Sequence, residues 1–421
     1  MQPETQQPPT NPAFEERLQR INDAIALRKP DRVPVFPWFH LFPARYAGMT
    51  YQEAFYDLDR WLAATEKTVL DYEPDLYTQP GAGIAAAGAA HEVLGNRQIK
   101  WPGHGVAPHI SFQFVEGEYM TADEYDEFLN DPADWTLRKY LPRIFASLEG
   151  LGMIPPITSL LAGYAGAGIF GVLAIPPVAA AIEAMAQAAQ ISAQWQMGYG
   201  QFEHKMNALG FPSFAQAVAL APYDLISDMM RGMRGTMADM YRCPDKLLAA
   251  MDKVLPIQIG GAIGQATMSG NPRIFIPLHR GADGFMSNEQ FERFYWPTLR
   301  ALIMALLDAG LTPCPFFEGG YDQRLAYLKE LPAGKVMGIF DRSDLVKVKA
   351  TVGDNLCIVG GMPISLLQAG TPDQVRDETR KIIETVGGDG GFIMSVNSVL
   401  DEADPDLIRV WIEATKEHGV Y

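Results

Sequence analysis

Acidic, imidazole and thiol side chains recur in this chain at or near the ends of short apolar runs, where a charge is costly unless it has a partner or a chemical role. In PFFEGG, Glu318 ends the run 312–317 and two glycines follow. A carboxylate there is an acid/base group, a metal ligand or the ion-pair partner of Arg280. Asp341 ends the run 335–340 in the same way, as a second acid/base group or as the N-cap of a helix from Ser343. His279 follows RIFIPL (273–278) and precedes the Gly-rich RGADGF, so it faces a loop rather than a helix-packing surface. Cys357 lies within NLCIVG (355–360). Together His279, Glu318 and Cys357 offer one nitrogen, one carboxylate oxygen and one thiolate, a set zinc accepts while keeping a fourth position open. Arg280 suits a substrate carboxylate, and Trp38, His40 and Asn397 are the remaining substrate-contacting candidates. No HExxH, paired CxxC or Walker pattern is present. The GxGxxG match at Gly166–Gly171 lacks an acidic ribose reader at a strand end about 20 residues on, and reads as crowded core backbone.

These residues need elements that bring them together. From residue 273 onward apolar runs alternate with amphipathic helices: runs at 273–278, 312–317, 335–340, 355–360 and 391–395, helices at 288–309, 322–331, 343–350, 372–386 and 404–418. Five successive βα units predict a parallel sheet with helical crossovers. A strand at 33–40 and two more in the Pro/Gly-interrupted middle bring the count to eight, so the expected fold is a (β/α)8 TIM barrel with an N-terminal helical extension. Active sites of such barrels collect where strands end, which is where most of these side chains fall. Residues 1–12, polar and Pro-rich, are expected to be disordered, and 13–421 to form one domain. A helix from about Phe14 stops before Pro30. The middle is helix-rich, and its methionines (Met229, Met230, Met233, Met237, Met240) read as soft core filling.

Composition narrows the function. With 421 residues, 48% of them hydrophobic, the chain can bury a large core. A net charge of −16 argues against nucleic acid as a partner. Three cysteines form no disulfide framework and no export signal opens the chain, so a cytoplasmic location is expected. Gly150–Ile182 carries no charge, but Pro155, Pro156, Pro176 and Pro177 interrupt it, so a buried strand, loop and helix start are expected there instead of a membrane span. An acidic chain with an Ala- and Met-rich surface helix is compatible with a homodimer.

Four segments carry a likeness beyond pattern. WPGHG (101–105), MSNEQFERFYWPTLRALIMALLDAG (286–310), GGMP (360–363) and LQAGTPDQVRDETRKIIE (367–384) resemble the uroporphyrinogen decarboxylase superfamily, over about 14–419. The resemblance implies a TIM barrel and one of two chemistries, porphyrinogen decarboxylation or methyl transfer involving a corrinoid on a partner protein. The decarboxylases' Arg-rich loop and Asp-bearing strand have only faint counterparts in HLFPARYAGMT and DYEPDLYTQP. The His-x-Cys of the thiol-methylating members falls on Phe316-Phe317-Glu318, and their later cysteine near Val359. The likeness therefore points toward members that take methyl groups off methyl ethers through mixed carboxylate, histidine and cysteine ligands. The expectation is a zinc-assisted methyltransferase that demethylates a small O- or N-methylated substrate and passes the methyl to a corrinoid protein, with Glu318 and Asp341 catalytic. The alternatives are a metal-independent decarboxylase or lyase and a non-catalytic ligand-binding barrel.

Overall fold

Pro34 and Pro37 flank the first apolar run, and because neither has a backbone N–H the run yields only a two-residue strand, β1 (Val35–Phe36). In the computed structural model, which describes residues 11–81, 87–161 and 163–421, β1 is one edge of a seven-stranded parallel sheet. The others are β2 (Ala217–Val218), β3 (Arg273–Leu278), β4 (Thr312–Phe317), β5 (Met337–Phe340), β6 (Cys357–Met362) and β7 (Phe392–Val396). Their spatial order is β1-β7-β6-β5-β4-β3-β2.

The sheet curls until its edges nearly meet, and residues 75–78 fill the gap. The N–H of Asp75 donates to the Val35 carbonyl at 2.9 Å; on the other side the Tyr77 N–H donates to the Pro212 carbonyl at 3.2 Å and the Phe214 N–H to the Tyr77 carbonyl at 2.8 Å. This eighth stave completes the TIM barrel. It is too short to hold itself by ladder bonds, and the Asp75 side chain, with no exposed surface, locks it. Its carboxylate accepts from Arg20 (2.7 Å), from both ends of the Arg32 fork (2.7 and 2.8 Å) and from the Val35 N–H (2.8 Å).

Inside the barrel Phe36, Trp38, Phe214, Phe275 and Phe316 interlock. The Trp38 ring meets Phe316 edge-on at 4.7 Å and Phe275 at 5.7 Å. Outside, the crossover helices follow the anticipated order. The 288–309 helix is realised as Asn288–Gln290, a π-helical turn Phe291–Tyr295 and Trp296–Asp308, whereas the one at 322–331 shrinks to Leu325–Leu328. The chain is described from Asn11, which caps the Ala13 N–H of the helix Pro12–Ile25; residues 1–10, most of the segment expected to be disordered, lie outside the described residues. Helices at Tyr51–Tyr56, Leu58–Tyr72 and Gly88–Leu94, with a small sheet built from Ile99–Pro102, Gly105–Val106 and Gln113–Phe114, form the N-terminal extension.

One expectation changes. The charge-free segment holds no strand among the described residues. It forms 3-10 turns at Ala146–Met153, Ile157–Leu161 and Gly163–Ala174, then the helix Pro176–Ala208, and Ile157 and Phe170 are more than half exposed. Its glycines and prolines offer too few ladder donors and side chains for a buried strand. One helix, Pro244–Ser269, is long and apolar enough to cross a membrane by length and composition. Pro256 interrupts it, and its Leu247, Ala250, Met251, Val254, Ala262 and Ala266 pack into the core of the barrel domain.

Removing the Asp75 carboxylate leaves Arg32 without an ion-pair partner, the buried Val35 N–H without its acceptor and Arg20 with Asp31 alone. Asp75→Ala is expected to lower unfolding free energy by about 3–5 kcal/mol. Asp31→Ala, which removes an exposed carboxylate facing Arg20, is expected to lower it by less than about 1 kcal/mol. Urea denaturation midpoints of the two variants check this ranking.

Candidate active site

Pro222 opens the helical segment after β2, and Asp224 and Asp228, four residues apart, fall on one face of it. The backbone widens to a π-helix over Leu225–Arg231, a geometry that recurs at functional sites. Asp224 has no exposed surface. It accepts the backbone N–H groups of His279 (2.9 Å) and Arg280 (3.0 Å) and the Tyr295 hydroxyl (2.6 Å), so it pins the chain where β3 ends.

Asp228, one turn on, takes the side chains of those same two residues. One oxygen accepts from His279 Nδ1 at 2.5 Å and the other from Arg280 Nε at 2.8 Å. The imidazole is thereby oriented with Nε2 turned across the mouth to Glu318 Oε2, 3.5 Å away. Beside Glu318, the Gly319 N–H donates to Asp341 at 3.0 Å, joining the exits of β4 and β5. The chain turns tightly after β4, the Glu318 N–H donating to the Phe316 carbonyl at 3.0 Å, and the Phe316 ring meets Trp38 edge-on inside the barrel, so the aromatic plug lies below the site.

The electrostatics follow from this crowding. Burial opposes charge on His279, but the Asp228 hydrogen bond and the charges of Asp224, Asp228 and Glu318 outweigh it and raise the imidazole to about 8. Burial raises Glu318; His279 pulls it back down, while Asp341 and Asp228 push it further up. Burial also raises Asp341, against the Gly319 N–H and Arg342. The mouth therefore holds an imidazole that keeps its proton more firmly than usual beside Glu318 and Asp341, which give theirs up less readily than usual, an arrangement suited to giving and taking protons.

The anticipated site residues part company here. His279, Glu318, Asp341 and Arg280 meet at the mouth. Arg280 is held by Asp228, with Glu116 at 3.8 Å, rather than left free for a substrate carboxylate. Glu318 pairs with His279, and the helix after β5 is capped by Asp344, not Asp341. Trp38 keeps its place at the exit of β1 in a left-handed conformation (φ 48°), a strained state for a bulky residue. His40 Nδ1 is held by Asp401 at 2.6 Å with its ring nearly buried, and the Asn397 amide oxygen accepts the Ile364 N–H at 3.1 Å, tying two strand exits together.

Cys357 is the correction. β6 runs from Cys357 through Gly360 and Gly361 to Met362, two residues later than the sequence pattern suggests, so the cysteine opens the strand instead of nearing its end. It is level with Met337, roughly 10 Å below the end of β5 at 3.3 Å per residue, and burial raises its thiol strongly. His279, Glu318 and Cys357 do not converge, and among the described residues no group of three His, Cys, Asp or Glu side chains is arranged to hold a metal. The anticipated zinc set does not fit. Asp224 and Asp228 escaped sequence reasoning; the available signal was the D-x-x-x-D spacing directly after an apolar strand exit.

Residues 211–418, which hold all of these groups except the β1 exit, match the sequence model of the uroporphyrinogen decarboxylase family. That match spans the C-terminal half of the chain. The uroporphyrinogen decarboxylase of Syntrophotalea carbinolica is 24% identical over 168 residues, covering 40% of this chain and 47% of that protein. The one of Chlorobium phaeobacteroides is 31% identical over 161 residues, covering 35% and 45%. The chain thus spans about half the length of the curated relatives it matches. A methyltransferase from Methanosarcina mazei superimposes over 95% of this chain and 98% of its own with a TM-score of 0.60 at 14% identity, which establishes the shared fold of the family domain and its N-terminal extension.

The His279 value carries a sign. A group raised from 6.5 to about 8 contributes stability that is fully present below pH 6.5 and lost as pH climbs through about 8. The unfolding midpoint should fall over that window, and Asp228→Asn should remove most of the fall. An NMR titration of the His279 ring should show its midpoint dropping by about one unit or more in Asp228→Asn.

Proposed function

We propose that this chain is a cytoplasmic methyltransferase that takes the methyl group from a small O- or N-methylated substrate and hands it to a corrinoid carried by a partner protein. The observation that carries this reading is the Asp228–His279–Glu318 row at an open, apolar-floored mouth. Breaking a methyl–heteroatom bond leaves an electron pair on the heteroatom, and a proton delivered there lowers the barrier. His279 Nε2 holds that proton, Asp228 keeps the ring in register, and Glu318 bounds the space where the leaving atom sits. The reduced corrinoid supplies the nucleophile that accepts the methyl. The side chains of His279 and Glu318 are 32% and 51% exposed, the access that a group arriving on a second protein requires.

Support also comes from the full-length likeness to a methyltransferase and from the charges around the mouth. Asp224, Asp228, Glu318 and Asp341 outnumber the cations beside them, His279, an Arg280 already held by Asp228 and an exposed Arg342. Such a mouth repels a polycarboxylate, which weighs against porphyrinogen decarboxylation, and accepts a neutral or cationic methylated compound. Because the zinc set does not converge, proton donation by His279 replaces metal activation of the leaving group in this reading.

The test presents the protein with chemically reduced corrinoid protein and a panel of methyl ethers and methylamines, and follows the corrinoid absorbance. His279→Gln is expected to slow methyl transfer by on the order of 10²-fold or more. Cys357→Ala and treatment with a chelator should leave the rate within about twofold. A rate abolished by chelation and restored by zinc would overturn the metal-free donor. Release of carbon dioxide from a carboxylate substrate, lost in Glu318→Gln, would replace methyl transfer with a lyase.

A further inference from the structure

At the opposite end of the barrel, below β1, a cavity of about 230 Å³ opens between the entry helix Pro12–Ile25 and the final helix Pro405–His418. Four cations line it, Arg17, Arg20, Arg32 and Lys416, in a chain whose net charge is −16. Two are neutralised: Arg20 by Asp31 and Asp75, and Arg32 by Asp75. The other two are not. Arg17 donates to the carbonyl of Gly210 at 2.9 Å and lies 4.2 Å over the Phe211 ring, while Lys416 donates to the Glu73 carbonyl at 3.0 Å. Among the described residues neither has a carboxylate within ion-pair distance, as all the salt bridges of this region run through Asp31 and Asp75. Glu16 and Glu73 also line the cavity, both exposed and in no ion pair among the described residues, so they stand at its rim.

Two cations without a direct ion-pair partner among the described residues, partly desolvated, line one cavity, where they repel each other. Burial lowers both Arg17 and Lys416 from their usual values, with the neighbouring arginines adding to the effect and Asp75 and Glu73 opposing it. Arg17 retains unused N–H groups on a planar fork and Lys416 retains a point charge, the pair that recognises tetrahedral oxyanions. We propose that this basal cavity is a binding site for a phosphate or phosphoryl group, separate from the catalytic mouth. The volume admits a phosphate with room for a small organic substituent, so free phosphate and a phosphate monoester share the recognition chemistry.

Isothermal titration of the full chain with inorganic phosphate at pH 7, with chloride setting the ionic strength, tests it. One saturable site per chain is expected, weakened by about tenfold in Arg17→Gln and again in Lys416→Met, which keeps most of the aliphatic stem. Circular dichroism and urea midpoints identify any variant that has lost its fold, and Asp75 and its two arginines are left untouched for that reason. His279→Gln should bind phosphate as the wild type does, which separates this site from the mouth. A second titration with glycerol phosphate distinguishes the sources: tighter binding than phosphate indicates a monoester, equal binding free phosphate. Heat no larger than that of a chloride control, or affinity unchanged in both variants, would overturn the site.

Discussion

Closing a barrel requires every strand edge to meet a partner, and here one stave is only four residues long. The requirement is met by a charge. Asp75, stripped of water, holds the N–H of Val35 and two arginine forks at once, so residues 75–78 stay seated between β1 and the chain leading into β2. A buried carboxylate with so many donors is tolerable because each oxygen is satisfied, and the same arrangement would be destabilising if any donor were missing. The closure of the barrel rests on that carboxylate, whereas the spacing between the exits of β3 and β4 at the far end is set by their own parallel ladder.

At that far end a second buried carboxylate plays the corresponding part. Asp224 receives the backbone N–H groups of His279 and Arg280, which fixes where the chain leaves β3, and Asp228 then receives their side chains. Backbone and side chain of the same two residues are thus held by two aspartates one helical turn apart. The imidazole can only point across the mouth toward Glu318. The raised proton affinity of His279 is a product of this enclosure, because the surrounding negative charge outweighs the cost of burying the ring.

How well the sequence could be read depended on the kind of signal. β3 and β4 occupy the very residues that the apolar runs mark, since a fully buried parallel strand has to be apolar from end to end. β5 begins two residues later than its run because Lys335 and Val336 precede the ladder, and β6 continues through two glycines that a propensity reading takes as a stop. That extension is what carries Cys357 away from the mouth. The likeness to the uroporphyrinogen decarboxylase family was visible in sequence because it lies in the C-terminal βα units, where packing on both faces of each strand constrains residue type. The partners of His279 were not visible, because they come from a helical segment fifty residues upstream that looks like an ordinary amphipathic stretch.

The sequence by itself determined the alternation of strands and helices, the parallel sheet and the set of polar residues that strand exits present, because burial enforces apolar runs and leaves charges only where they end. Tertiary structure decided which of those residues meet. Register along a strand moves a side chain by 3.3 Å per residue and turns it to the other face, and no local pattern fixes register to that accuracy. It also decided that His279 answers to Asp228 and Glu318 rather than to a cysteine, because His279 and Glu318 leave adjacent paired strands while the register of β6 places Cys357 at the other end of the barrel.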